Sequence, residues 1–237
     1  MKKEILDIIL TSRLAKKPLA VITRVIDGMQ WAFLENDNEN HEVFAPLEID
    51  TIKKSMRDNK SGLISDEKFF IHIYTPPLRL IIIGAVHIAQ FLAPMAKVAG
   101  FDVTVVDPRA SFATPSRFPE INLLDEWPDD GIVELKPDTR TAVVTLTHDP
   151  KLDDPALIET LKTPAFYIAS LGGTRTHGKR LERLKSEGFD EHQLIRINGP
   201  AGLDIGSVSP SEIAISILAE LTAALHGRLV VSKDISA

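Results

Sequence analysis

The chain contains no cysteine. That absence excludes disulfides, cysteine-ligated metal centres, iron–sulfur clusters and covalent thiol chemistry. Basic charge is not in excess either. Lys and Arg number 27 against 33 Asp and Glu, and the formal net charge is −6. With its Lys and Arg scattered, the chain lacks the electrostatic footprint of a nucleic-acid or anionic-membrane binder. Long apolar runs are missing too, and the longest, near Leu80 to Val86, is far too short to span a bilayer. The N-terminus Met1-Lys-Lys-Glu-Ile-Leu-Asp-Ile-Ile-Leu10 superficially resembles a signal peptide, but Glu4 and Asp7 interrupt its apolar run. Lys16 and Lys17 follow without a small-residue cleavage site, so the segment reads as an amphipathic surface helix of a cytoplasmic protein. Internal repeats and low-complexity tracts are absent. No Ser or Cys sits in a nucleophile elbow, and no His pair has i,i+4 spacing, so metal binding is not expected.

What is present is an ordinary globular composition, 44% apolar and 25% charged over 237 residues, with room for one large domain or two modest ones. Residues 1–75 read as a small α+β domain. Ile5, Ile8, Ile9 and Ser12 keep helical spacing, and residues 19–26 are β-rich. Asp27-Gly28 is a hairpin turn signal before a strand at 30–34. Val43-Phe44 reads as a short strand, 48–59 as a helix and 69–74 as a strand. Thr75-Pro76-Pro77 then breaks regular structure and marks a linker.

Residues 78–237 alternate β and α signals, which predicts a Rossmann-like parallel sheet with helices on both faces. Strands are expected at 79–83, 102–106, 121–124, 142–146 and 165–169. The helix after the first strand is expected to bury Ile88, Phe91, Leu92, Met95 and Val98/Ala99, with Pro94 inside it. Residues 175–187 read as a polar helix ended by Gly188. Ser209-Pro210-Ser211-Glu212 has the form of a capping box opening the last helix, whose stripe is Ile213, Ile217, Leu218, Leu221 and Leu225.

Open parallel sheets bind ligands outside the carboxyl ends of their strands. After the first strand come Gly84, Ala85, Val86 and His87. Asp107 follows Gly84 by 23 residues, the layout of a dinucleotide-binding βαβ unit. The usual G-x-G-x-x-G reads here as Gly84, Val86 and Ala89, so two of its three glycines are replaced. Either the fold keeps a nucleotide, or it has lost dinucleotide binding. Asp107 could hold ribose hydroxyls and Arg109 a 2′-phosphate, which leaves NAD and NADP both open. Alternatively, Asp107 caps a turn and Arg109 is a surface charge. Thr147-His148-Asp149 follows the strand at 142–146, with His148 as candidate acid–base. Gly172, Gly173, Thr174 and Arg175 suit a phosphate, or form a plain β-to-α turn with Thr174 as N-cap. His87, His148 and His177, three of the seven histidines, fall on this one rim. Residues 198–206 form a Gly/Pro loop before the last helix.

With these motifs assembled, the chain resembles the xanthine dehydrogenase accessory, or CoxI-like, family of molybdenum-enzyme maturation proteins. The matching segments are Gly84-Ala-Val-His87, Val105-Val-Asp107-Pro-Arg109, Phe112-Ala-Thr-Pro-Ser-Arg-Phe-Pro119 and Thr147-His-Asp149. Tyr167-Ile-Ala-Ser-Leu-Gly-Gly-Thr-Arg-Thr176, Gly202-Leu-Asp-Ile-Gly206 and Glu212-Ile-Ala-Ile-Ser-Ile-Leu-Ala-Glu220 complete the set, over roughly residues 80–222. The resemblance implies a maturation factor rather than a conventional enzyme. Such a factor would bind a phosphate-bearing cofactor, molybdenum cofactor or nucleotide. Its partner would be a xanthine dehydrogenase-like or carbon monoxide dehydrogenase-like apoenzyme, and a homodimer is compatible with this role. Residues 1–75 hold no counterpart of the family's Gly-rich, Cys-containing segment, which excludes a cysteine-based sulfur role. Two other readings stay open, an NAD(P)-dependent oxidoreductase and a non-catalytic interaction protein.

Overall fold

The computed structural model describes residues 2–15, 17–34, 44–57, 59–64 and 67–228. The chain divides between Pro76 and Pro77 into two compact units. In the first, α1 (Lys3–Leu14) is followed by the hairpin β1 (Leu19–Arg24) and β2 (Gln30–Leu34), then α2 (Pro46–Arg57), β3 (Gly62–Ile64) and β4 (Phe69–Tyr74). The strands form an antiparallel sheet in the order β2-β1-β4-β3. Alternation along β1 sorts its side chains between two cores. Leu19 and Val21 pack with Ile5 and Ile9 of α1. Ala20 and Ile22 pack with Ile49, Ile52 and Met56 of α2. The expected helix at 48–59 begins and ends two residues earlier. β3 was not foreseen. Of the strand expected at Val43-Phe44, Val43 lies outside the described residues and Phe44 is a buried bend residue.

The second unit contains β5 (Leu78–Ile83), α3 (His87–Val98), β6 (Phe101–Val106), β7 (Asn122–Leu124), α4 (Pro128–Leu135), β8 (Thr141–Thr145) and α5 (Pro150–Leu161). There follow β9 (Tyr167–Ser170), α6 (Thr174–Ser186), α7 (Glu191–Leu194), β10 (Ile197–Asn198) and α8 (Pro210–Leu225). Its sheet is parallel throughout, in the order β10-β9-β8-β5-β6-β7. Counted from β5 as the first strand, that is the doubly wound 3-2-1-4-5-6 order, which reverses direction between β5 and β8.

Helices cover both faces. Leu80 and Ile82 point to a core shared with Ala89, Leu92, Ala93 and Ala96 of α3 and Ala214, Ile217 and Leu221 of α8. Ile81 and Ile83 point to the other core, with Ile132 of α4, Ala156, Leu157 and Leu161 of α5 and Leu184 of α6. The expected stripe of α3 holds for Leu92, which is buried, and for Ile88 and Met95, which are half-buried, but not for Phe91, Val98 and Ala99. Small residues face the sheet and α8, Val98 is 90% exposed, and Phe91 is also exposed. Close helix approach selects alanine at 89, 93 and 96, beside Leu92, Ile88 and Met95. Ser209 caps α8 with a full capping box and Pro210 at its first position. Among the described residues, no helix is long and apolar enough to cross a membrane.

Candidate functional site

The strand order brings the loops after β5 and β8 together at the switch point, where an open sheet leaves a crevice. Gly84 makes that approach feasible. Its φ is +104°, and a Cβ there would come within 2.5 Å of Thr147 Cγ2. Ala85 is buried, Val86 is the N-cap of α3 and His87 its first residue, exposed beside the Phe91 ring.

Asp107, at the end of β6, is fully buried. Its carboxylate accepts the Ala85 N–H at 2.8 Å and the Arg109 N–H at 2.9 Å. It also accepts the Arg109 guanidinium through Nε at 2.8 Å and Nη2 at 2.7 Å. Of the two readings of Asp107, this geometry is that of the turn cap. Both oxygens are engaged within the protein, so in this arrangement Asp107 fixes the Gly84–Ala85 turn and presents no free lone pair to a ribose. Burial pushes its carboxyl up, but the Arg109 side chain and the two backbone donors outweigh that and hold it below the usual carboxylate range. Arg109 lies across the face of Phe112, 4.3 Å from the ring centroid. The charge of Asp149 also acts on Arg109. The loops after β6 and β8 therefore face one another past the end of β5.

Thr147 and His148 are held by a residue the sequence pattern did not flag. Asp153, buried in the first turns of α5, accepts Thr147 Oγ1 at 2.7 Å, the Thr147 N–H at 3.3 Å and the His148 N–H at 3.1 Å. These bonds accompany a left-handed His148, φ +62°, with its side chain exposed on the rim. Burial raises the Asp153 carboxyl despite those donors and the nearby charges of Arg180 and His148. Asp149 is the N-cap of α5 and accepts the Lys151 N–H at 2.9 Å.

Gly172 (φ +134°) lets the chain turn tightly from β9 into α6, where a Cβ would press on Thr176. Gly173, not Thr174, is the N-cap, and no side chain caps the helix. Thr174 and Arg175 are its exposed first residues. His177 packs against Gly199, where any side chain would overlap the imidazole. The rim histidines thus sit on separate elements, and no group of three metal-ligating side chains converges among the described residues. Two rim helices, α3 and α6, have neither a side-chain cap nor an acid in the first turn. The others on the rim, α4, α5 and α8, have one or both. An uncapped N-terminus keeps its N–H groups and positive dipole end available to an anion. Between α5 and α6 lies a cleft of about 230 Å³, walled by His148 and Asp153 on one side and by Arg175, Lys179, Arg180 and Arg183 on the other. Only His148 and Arg175 of these were singled out from sequence. For Lys179 and Arg183 the available signal was their repeated i,i+4 spacing from Arg175 along α6; Asp153 and Arg180 had none.

The comparisons with known proteins agree with this architecture. Residues 80–221 match the sequence model of the XdhC Rossmann domain. The chain is 30% identical over 156 residues to the uncharacterized protein YqeB of Escherichia coli K12, covering 64% of this chain and 28% of that protein. It is 28% identical over 148 residues to the molybdenum cofactor insertion chaperone PaoD of the same organism, covering 62% of this chain and 40% of PaoD. A Bacillus subtilis protein named as a probable xanthine dehydrogenase component is 33% identical over 153 residues, 64% of this chain and 44% of that protein. Each match therefore spans less than half of the curated relative. Among solved structures, a Bacillus halodurans protein described as a xanthine dehydrogenase aligns over 98% of this chain and 67% of its own, with TM-score 0.67 and 25% identity. With the family's Rossmann domain matched over most of the second unit, the chain belongs to the XdhC family, the xanthine dehydrogenase accessory proteins.

Proposed function

We propose that this chain is a maturation factor. It binds a phosphate-bearing cofactor, molybdenum cofactor or a nucleotide, on the carboxyl rim of its parallel sheet. It serves a xanthine dehydrogenase-like or carbon monoxide dehydrogenase-like molybdoenzyme. The observation that carries this reading is the family membership, joined to a relative whose name states molybdenum cofactor insertion. The rim supports it chemically. Uncapped N-termini of α3 and α6 and the side chain of Arg175 offer donors to phosphate, and the Gly84–Thr147 contact shapes the crevice floor. Thr147 and His148 would orient the ligand beside Gly84–His87, with His148 holding or relaying a proton. The residues fit the phosphate end of such a group. A thiolate ligand to the metal would have to come from elsewhere, because the chain has no cysteine.

Mass spectrometry of small molecules released from the purified protein tests this reading. A molybdopterin species is the expected result, with transfer to an apo-molybdoenzyme as its functional counterpart. Recovery of NAD(P) instead would replace the reading with a nicotinamide-dependent activity. If nothing is recovered and added cofactor binds no tighter than about millimolar, the cofactor role fails. Sedimentation of the same preparation tests the homodimer.

A further inference from the structure

Helix α6 carries Arg175 in its first turn, against its own dipole, and no acid there to offset it. Arg175, Lys179 and Arg183 are spaced i,i+4, with Arg180 beside them. Like charges at that spacing destabilise a helix, and cations at an N-terminus oppose the macrodipole. The cleft between α6 and α5 gathers these side chains together. Arg183 is matched by Asp154, with Nε and Nη2 at 2.5 and 3.0 Å from its carboxylate. Arg180 is not matched in this way. It is 2% exposed, donates through Nη2 to the Leu171 carbonyl at 2.7 Å and approaches His177 Nδ1 at 3.5 Å. Its Nε is buried without a hydrogen-bond partner. A buried guanidinium donor left unpaired costs stability unless something completes it. Asp153 contributes its charge, but its oxygens are turned to Thr147 and His148.

We propose that the α5–α6 cleft is a binding site for a phosphomonoester group, held by Arg175, Lys179 and Arg180. Once Asp154 has neutralised Arg183 and Asp153 has offset one further charge, two positive charges remain, the complement of a phosphomonoester dianion. The Arg180 fork and the Lys179 ammonium supply donors suited to a tetrahedral oxyanion. The net negative charge of the whole chain disfavours a polyanionic surface, and the concave site selects a small phosphorylated molecule. This inference rests on the cleft's own donors. It shares Arg175 with the proposed function, whereas Lys179 and Arg180 belong to the cleft alone, so Arg180→Lys separates the two.

Calorimetric titration of the full chain with inorganic phosphate at low ionic strength tests it. Saturable one-to-one binding is expected. Arg175→Gln/Lys179→Gln changes two exposed residues and leaves the fold intact, and it should weaken phosphate binding at least tenfold. Arg180→Lys keeps the charge while removing Nε, and should also weaken it. The proposal is overturned if the unmodified chain shows no saturable binding, or if the double variant binds phosphate as tightly as the parent. Because phosphate alone is the probe, failure to recover a cofactor from the purified protein would not alter either outcome.

Discussion

Asp107→Asn separates a structural from a ligand-binding acid at nearly constant shape. The carboxylate faces donors only, from Ala85 N, Arg109 N and the Arg109 guanidinium. An asparagine Oδ1 can retain one side of that set. Its amide would turn hydrogens toward the donors on the other side and remove the charge opposite Arg109. Hydrogen bonds to charged groups contribute about 1.5–3 kcal/mol each. The Arg109 side chain is 39% exposed and can turn to water, so its share is discounted and the amide contacts decide the outcome. The expected loss is about 2–4 kcal/mol, or a fall in melting midpoint of roughly 4–16 °C for a domain of this size. Trp127 is the one tryptophan in the second unit, so fluorescence-monitored urea unfolding in a Trp31→Phe background follows that unit alone. The folded carboxyl titrates below its ordinary value. Its stabilisation is therefore complete above about pH 4 and disappears as pH falls through the lower folded value, so the parent and Asn curves should converge in acid. A difference under about 1 kcal/mol at neutral pH, or one that persists unchanged in acid, would refute the reasoning. Parent stability together with lost nucleotide binding would return Asp107 to the ribose.

Gly84→Ala should destabilise the second unit by about 2–4 kcal/mol, from left-handed strain and the overlap with Thr147 Cγ2. Adding Thr147→Ser removes that methyl and should recover the overlap share; urea midpoints that show no recovery would assign the whole cost to the backbone. Tyr167→Phe deletes the phenol that donates to buried Glu220 at 2.6 Å, on the same carboxylate oxygen that accepts the Gly202 N–H at 2.9 Å. Unfolding should become easier by about 1–3 kcal/mol. Burial, with the Glu220 charge, pushes the Tyr167 phenol well above its usual value, so its folding contribution falls as pH rises past about 10. Ultraviolet difference titration checks this: Tyr167 should ionise only as the protein unfolds.

The fold was legible where chain chemistry is local. Asp27-Gly28 signals the β1–β2 hairpin, and Ser209-Pro210 with Glu212 signals the start of α8, because turns and caps are settled by a few adjacent residues. Helix α5 was not foreseen. It carries Pro150 at its first position and Pro155 inside, and buries Asp153 and Thr160 with its leucines, so neither propensity nor apolar spacing announced it. β10 is only two residues long and exists through its pairing with β9. Such a strand has no pattern of its own to read.

The rim shows a sharper limit. Position told which residues stand at the strand ends, since Gly84, Asp107, Thr147 and Gly172 all follow strands of the parallel sheet. Position did not tell which way their hydrogen bonds run. Asp107 has the spacing of a ribose acid, yet Arg109, two residues on, folds back and takes both oxygens. Asp153 and Arg180 were not read because their roles depend on how the chain turns: Asp153 folds back on Thr147 and His148, and Arg180 on the Leu171 carbonyl beside the α5–α6 cleft. Val86 now reads less as a lost phosphate glycine than as the N-cap of a helix that keeps no side-chain cap. The replaced glycines remove close backbone approach at α3, while α6 keeps Gly172 and Gly173 with basic residues directly behind them. The proposed phosphate site therefore has better chemical support at the loop after β9 than at the loop after β5, the reverse of what the fingerprint alone would suggest.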